Sequence, residues 1–465
     1  MVVNTREFNN KYRTLLWAVD LLGGDNPMGP DITDHGIVDA DAAKYETDPP
    51  AIYTDVVALL EAKGDDKSLT PVEKADLNAK HNLLTLPGEL VGMLGQFGYN
   101  TVLGREINMA YTRLQGELAG AVPGIKAPNR GTLWGCVTGQ VTPPTLSSFR
   151  AEIVALQDQL VMWLRKAGHK ATRQNLQRVL YDWHQSHRSY GLESRTEIEE
   201  IIRTEIVEFV GLFRSRACKI PSLAPYADQI DVKAYQLKVK EKMNFDAGLS
   251  YLGRNPAEGW PVGYANFEWN AGRPASRFDI QYVACHEATH WMNATLMDLQ
   301  RRAGKLPPAA ALLTMSSQRA GNEEGLAQTM WECVYGGTVT DVVESRGVEY
   351  GIVMVLDQLQ DIARLAAAVG FLHLEADEEA RRKAVYNFIR TELCQDEHIA
   401  HKYAGEKKRF WRELPGGITY APQYYYGSRA YRDAIGRYGV EKVLEVGMHT
   451  QGLVDLPEFE TLVAV

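Results

Sequence analysis

Cysteine is scarce in this chain, and what there is lies scattered. Cys136, Cys218, Cys285, Cys333 and Cys394 are odd in number, widely spaced and without a C-x-x-C pair. That argues against a disulfide framework or a cysteine zinc finger, and it fits a reducing cytosol. Clusters of basic residues are also missing. The net charge is -9 and is spread along the chain, so nothing is set up to grip a phosphate backbone, and nucleic acid is not expected as a partner. Long apolar runs are absent too. The N-terminus carries only Leu15 to Val19, with no basic start, long apolar region or small-residue cleavage site, and does not read as a signal peptide. The longest later run, Leu365 to Leu372, follows Arg364, ends at His373 and is too short to cross a bilayer. A cytoplasmic protein with no membrane partner is the expectation. No repeat of fixed period occurs, which excludes solenoids and propellers.

What is present is a chain of 465 residues with 45% apolar content, more than one compact core usually supports. Leu146 to Ala167, Arg173 to Gln185, Ser194 to Ala217 and Gly347 to Val369 place apolar residues three and four apart, so a mainly α protein is expected. Asp25 to Pro50 and Gly120 to Pro144 are rich in loop-forming residues and read as long loops. From Gly259 to Gly272 the period switches to two: Ala265, Phe267 and Trp269 alternate with Tyr264, Asn266, Glu268 and Asn270, the mark of a half-buried strand. The expected division is a helical lobe of unknown role over residues 1–245 and a catalytic lobe over 246–465.

The strongest signal is an H-E-x-x-H at His286, Glu287 and His290, inside DIQYVACHEATHWMNATLMDLQRR. Asp279 is a candidate start for a helix whose apolar face is Ile280, Val283, Ala284, Trp291 and Ala294. Positions four apart share a helix face, so both imidazoles reach one ion while Glu287 points beside it. The chemistry needs that spacing. Two neutral imidazoles hold zinc, and a neighbouring carboxylate takes a proton from water to make a nucleophile at neutral pH. Catalytic zinc takes a third protein ligand and keeps one open position. Glu324, 34 positions after His290 in the helical segment GNEEGLAQTMWECVYGG, is the candidate, on the same side as Gln328, Trp331 and Glu332. Glu323 competes with it, but the pattern favours the Glu directly before Gly325.

H-E-A-T-H followed by N-E-E-G-L-A-Q resembles the bacterial QEGLA-motif proteins and the tubulin tyrosine carboxypeptidases of the MATCAP type. It is also similar to gluzincin families with E-G-W-A or N-E-G-F-A at the third ligand. The resemblance covers roughly residues 245 to 440. It implies a two-lobed zincin-like metallopeptidase in which Glu324 binds one zinc ion. PQYYYGSRAYRDAIGRYG, from Pro422, is similar to a Tyr-x-x-Gly segment of those families, with Tyr424 at the matching position. Gly263 to Asn270 is placed like the gluzincin edge strand beside the zinc helix that pairs with substrate backbone, making Tyr264 and Asn266 candidate substrate contacts. Thr289 and Trp291, flanking the second histidine, depart from the pattern.

Other residues have bland readings beside sharp ones. Tyr424, Tyr425 and Tyr426 are an aromatic cluster of the kind that packs a core; the sharp alternative is a phenol that stabilises an oxyanion, with Tyr424 favoured. Arg429 and Arg432 follow, where a guanidinium could fork onto a terminal carboxylate and make the enzyme a carboxypeptidase, against the commoner reading of a helical arginine paired with an acid. Arg429 is the candidate carried forward. His398 and His401, with Glu397, make a second metal conceivable, though such histidines are more often solvated. Cys285 reads as a small buried residue, and EADEEARRK from Glu375 as a solvated helical face. The expected function is zinc-dependent hydrolysis of a peptide or peptide-like amide. The alternatives are an amidohydrolase for a specialised small molecule and a catalytically silent, metal-stabilised binding protein.

Overall fold

The computed structural model describes residues 5–23, 50–63, 68–95, 100–139, 142–241, 243, 246–251, 253–254, 259–303, 305, 318–373, 377–404, 415–450 and 452–465. The chain is mainly helical, as the three-and-four spacing predicts. Its longest helices are Arg195–Ala217, Arg277–Arg302, Val348–His373 and Pro415–Tyr438. Among the described residues no helix is long and apolar enough to cross a membrane. The Asp25 to Pro50 loop lies outside the described residues except for Pro50. The Gly120 to Pro144 segment is not all loop. Asn129 accepts from the Thr132 amide and starts a helix at Arg130–Thr138, in which Leu133, Trp134 and Val137 are buried. Glycines at 131 and 135 hid that short apolar face.

Among the described residues two hydrophobic cores form. One gathers Phe8, Tyr12, Leu15, Leu103, Ile107 and Leu114, joined by Met297 and Leu453 from much later in the chain. The other runs from Trp134 to Val463. The expected boundary at residue 245 does not fall between them. Ile202 and Phe209 share the second core with Ile280, Trp291 and Met330, and the strand Tyr235–Lys240 pairs with Ala265–Asn270 across position 245. Each lobe-sized half has its own helical periodicity, but the pairing of a strand with a distant partner leaves no trace in local composition.

That pairing also corrects the expected edge strand. Ala265, Phe267 and Trp269 are buried, as the alternation predicts, yet Ala265–Asn270 is the middle strand of three. Tyr235–Lys240 lies parallel on one side and Ala247–Tyr251 antiparallel on the other. Asn266 sits opposite both Gln236 and Ser250, so its backbone is engaged by the sheet. Tyr264 stacks on Trp260 at 4.9 Å, and its carbonyl accepts from Gly253. Neither residue borders an open sheet edge, and the expected substrate pairing at this strand is withdrawn.

The helix carrying the H-E-x-x-H begins after a short strand, Ala275–Ser276, paired antiparallel with Ser189–Tyr190. Its start is a reciprocal cap in which the Ser276 hydroxyl accepts from the Asp279 amide and the Asp279 carboxylate accepts from the Ser276 amide, so Asp279 is the third helical position rather than the first. The Trp291 indole donates to the Gly263 carbonyl at 2.5 Å and ties this helix to the sheet.

The Gln318–Tyr335 and Pro415–Tyr438 helices cross at glycines. A Cβ on Gly325 would lie 2.6 Å from the Gly427 carbonyl carbon, and one on Gly427 would press into the Gly321 carbonyl. Only hydrogen fits between the two backbones, which explains the glycine after Glu324. Gly427→Ala is therefore expected to overpack the crossing and lower stability by about 1–3 kcal/mol. Urea unfolding reads this directly, and an unchanged midpoint would contradict so tight a crossing.

Candidate metal centre

His286 and His290 lie one turn apart on the Arg277–Arg302 helix and face Glu324 on the Gln318–Tyr335 helix. The two histidine Nε2 atoms are 3.1 Å apart, and Glu324 Oε2 lies 3.3 Å from the first and 3.6 Å from the second. These three side chains form the one group among the described residues whose donor atoms converge as metal ligands do. Ligand atoms held about 2.0–2.1 Å from a common zinc at a tetrahedral angle stand roughly 3.3 Å apart, so the spacing fits. A further observation agrees: Glu324 Oε2 is buried and has no hydrogen-bond donor aligned on it. A carboxylate oxygen in that position costs stability unless a cation answers it.

The orientation of His286 follows from its neighbours. The Asp361 carboxylate is fully buried and also takes bonds from Arg364 at 2.5 Å and Ser428 at 3.1 Å. Being an acceptor, it obliges the Gln328 amide to turn its NH2 inward, at 2.9 Å. The Gln328 carbonyl oxygen then faces His286 Nδ1 at 3.1 Å, so Nδ1 carries the proton and Nε2 presents a lone pair. Gln328 sits four residues after Glu324 on the same helix face, and this role was not drawn from the spacing.

Glu323, the competing ligand, points elsewhere. It accepts from Asn293 at 2.5 Å and from His449 Nε2 at 2.7 Å, while the Val454 amide donates to His449 Nδ1 at 3.1 Å. Burial pushes the Glu323 carboxyl up, and the hydrogen bonds from His449 and Asn293 help bring it below the usual carboxylate range.

Burial pulls His290 down, but the Glu324 carboxylate, with Glu287 and Glu323, pushes it up to about 9. Burial raises Glu324, and the two histidines reverse this and hold it well below the carboxylate range. Glu287, beside them on the helix, is raised by burial, which outweighs the pull of His286 and His290. Among the described residues its carboxylate makes no hydrogen bond, so its oxygens are available to a proton.

The three tyrosines separate. Tyr425 donates to Glu152 at 2.8 Å and packs on Phe149, and Tyr426 packs against Trp134. Tyr424 turns to the site, its ring parallel to His286 at 6.3 Å and covered by the Arg364 guanidinium at 4.2 Å. Tyr420, missed in the sequence, joins it: its hydroxyl donates to Glu324 Oε1 at 2.5 Å and lies 2.8 Å from the Tyr424 hydroxyl. Burial, and then the Glu324 charge, pushes both phenols well above their ordinary value and keeps them protonated. The four-residue spacing of Tyr420 and Tyr424 was the available signal, but Pro422 between them reads as a helix break although the helix runs through it.

Arg429 is not at the centre. It pairs with Glu152 and lies 3.4 Å over the Tyr425 ring, and Arg432 pairs with Glu332 at 2.9 Å. Both take the paired-arginine reading, and Arg429 is withdrawn as a substrate contact. His401 is solvent-exposed beside Glu397, and no second ligand group forms among the described residues. Cys285 is buried and donates toward Glu205.

No family model matches this chain, and no curated protein matches it. Among solved structures, one described as "the putative lipoprotein from Colwellia psychrerythraea" aligns with a TM-score of 0.48 and 13% identity over 92% of this chain and 74% of its own.

The two glutamates are expected to separate cleanly in metal analysis. Glu324→Ala should lose zinc from purified protein, whereas Glu323→Gln should keep it and lose about 1.5–3 kcal/mol of stability with its charged hydrogen bonds. Zinc retained in Glu324→Ala, or lost only in Glu323→Gln, would reverse the assignment.

Proposed function

We propose that the chain is a zinc-dependent hydrolase of the gluzincin type, cutting a peptide or peptide-like amide bond in a zincin-like cleft. The observation that carries this is the convergence of His286, His290 and Glu324 on one point, with the Glu287 carboxylate unengaged beside it. His286 and His290 through Nε2, and Glu324 through its carboxylate, would hold the ion. Bound zinc supplies Lewis acidity, lowering the pKa of adjacent water and polarising a carbonyl. The residues of the chain do the rest. Glu287, raised by burial, takes the proton from the attacking water on its carboxylate and passes it to the leaving amine. Tyr424 donates a hydrogen bond from its phenol to the carbonyl oxygen as that oxygen gains charge. Gln328 and Asp361 keep the His286 lone pair on the ion side.

Glu287→Gln is the discriminating variant, because it removes the base and leaves the ligands in place. Against a mixed peptide library it is expected to keep its zinc and cut about 10²–10⁴-fold more slowly than wild type. Wild-type cleavage unaffected by the substitution would remove Glu287 from the chemistry. Zinc-loaded wild type that cuts no peptide would shift the reading to a specialised small amide.

A further inference from the structure

Tyr420 has a place in this site that neither the motif nor the proposed mechanism requires. The two oxygens of Glu324 live differently: Oε1 accepts from the Tyr420 hydroxyl at 2.5 Å, and Oε2 faces the two histidine nitrogens at 3.3 and 3.6 Å without an aligned donor. A phenol has one proton to give. Because a carboxylate only accepts, the proton in the short contact belongs to Tyr420 and is committed to Oε1. In the 2.8 Å contact between the two phenols Tyr424 is then the donor and Tyr420 the acceptor. The chain of bonds runs one way, from Tyr424 to Tyr420 to Glu324. Both phenols stand on the Pro415–Tyr438 helix four residues apart, their rings edge to face at 5.1 Å, and the glycine crossing at Gly325 and Gly427 holds that helix against Glu324.

We propose that Tyr420 is a positioning residue that fixes how Glu324 binds the ion: it keeps Oε1 occupied, so that Glu324 offers the metal one oxygen rather than two. This rests on the zinc reading above. With Oε1 held back, two imidazoles and one carboxylate oxygen leave a coordination position for water and substrate, the arrangement a catalytic site needs and a closed structural site lacks. The acceptor lone pair of Tyr420 also holds the Tyr424 hydroxyl beside the site, from which its hydrogen bond turns to a substrate oxygen once that oxygen is the stronger acceptor.

Full-length protein loaded with Co²⁺ in place of zinc tests this, because four-coordinate Co²⁺ absorbs visible light far more strongly than five-coordinate Co²⁺. Wild type is expected to show the intense band. Tyr420→Phe is expected to weaken it severalfold as Oε1 joins the ion, and Tyr424→Phe, which leaves the Tyr420 contact intact, to keep it. An unchanged band in Tyr420→Phe, or an equal loss in Tyr424→Phe, overturns the proposal while the metal site stands. If Tyr420→Phe does not fold, the wild-type spectrum alone decides, since a weak five-coordinate band there also overturns it. Wild type that takes up no stoichiometric Co²⁺ overturns the metal site itself, and this proposal with it.

Discussion

Two imidazole nitrogens and a carboxylate oxygen are held 3.1–3.6 Å from one another in a largely buried place, and the carboxylate oxygen has no aligned donor. Burying such a set is costly unless something positive sits among them. Much of the surrounding structure makes sense as a means of holding these three atoms together. The Ser276 cap and the Trp291 indole fix the start and the middle of the helix that carries the histidines. The glycine crossing brings the tyrosine helix close enough for Tyr420 to reach Glu324.

The polar groups behind the site divide the work between two neighbouring glutamates. Glu323 is drawn back into a buried set with Asn293 and His449, and His449 is in turn fixed by the Val454 amide and so by the chain's C-terminal region. Holding Glu323 there sets the rotation of its helix, and rotation decides that Glu324 faces the histidines. On the other side, Asp361 aligns Gln328, and Gln328 aligns His286. Each bond in these relays takes its direction from an acceptor-only carboxylate or a donor-only backbone amide, and that is what makes the histidine tautomer an inference from chemistry rather than a choice.

How far the sequence could be read depended on distance along the chain. His286 and His290 were legible because a helix turns their spacing into a shared face, with Glu287 beside them, and Glu324 because it directly precedes Gly325 in a pattern that favours it over Glu323. The alternation of Ala265, Phe267 and Trp269 correctly marked the buried face of a strand, but nothing local says that Tyr235–Lys240 and Ala247–Tyr251 would cover both its edges. The same blindness placed a boundary at residue 245, between strands that belong to one sheet. Arg429 was attractive for its nearness in sequence to Tyr424, yet five residues further along a helix is a different face, and there it meets Glu152. Tyr420 was hidden by Pro422, since a proline within a helix looks in sequence like an end.

The most direct test is crystallographic. Crystals of the protein grown with zinc, measured on both sides of the zinc absorption edge, should show one anomalous peak about 2.0–2.2 Å from His286 Nε2, His290 Nε2 and an oxygen of Glu324. No peak there, or a peak held by other side chains, would contradict the account at its centre.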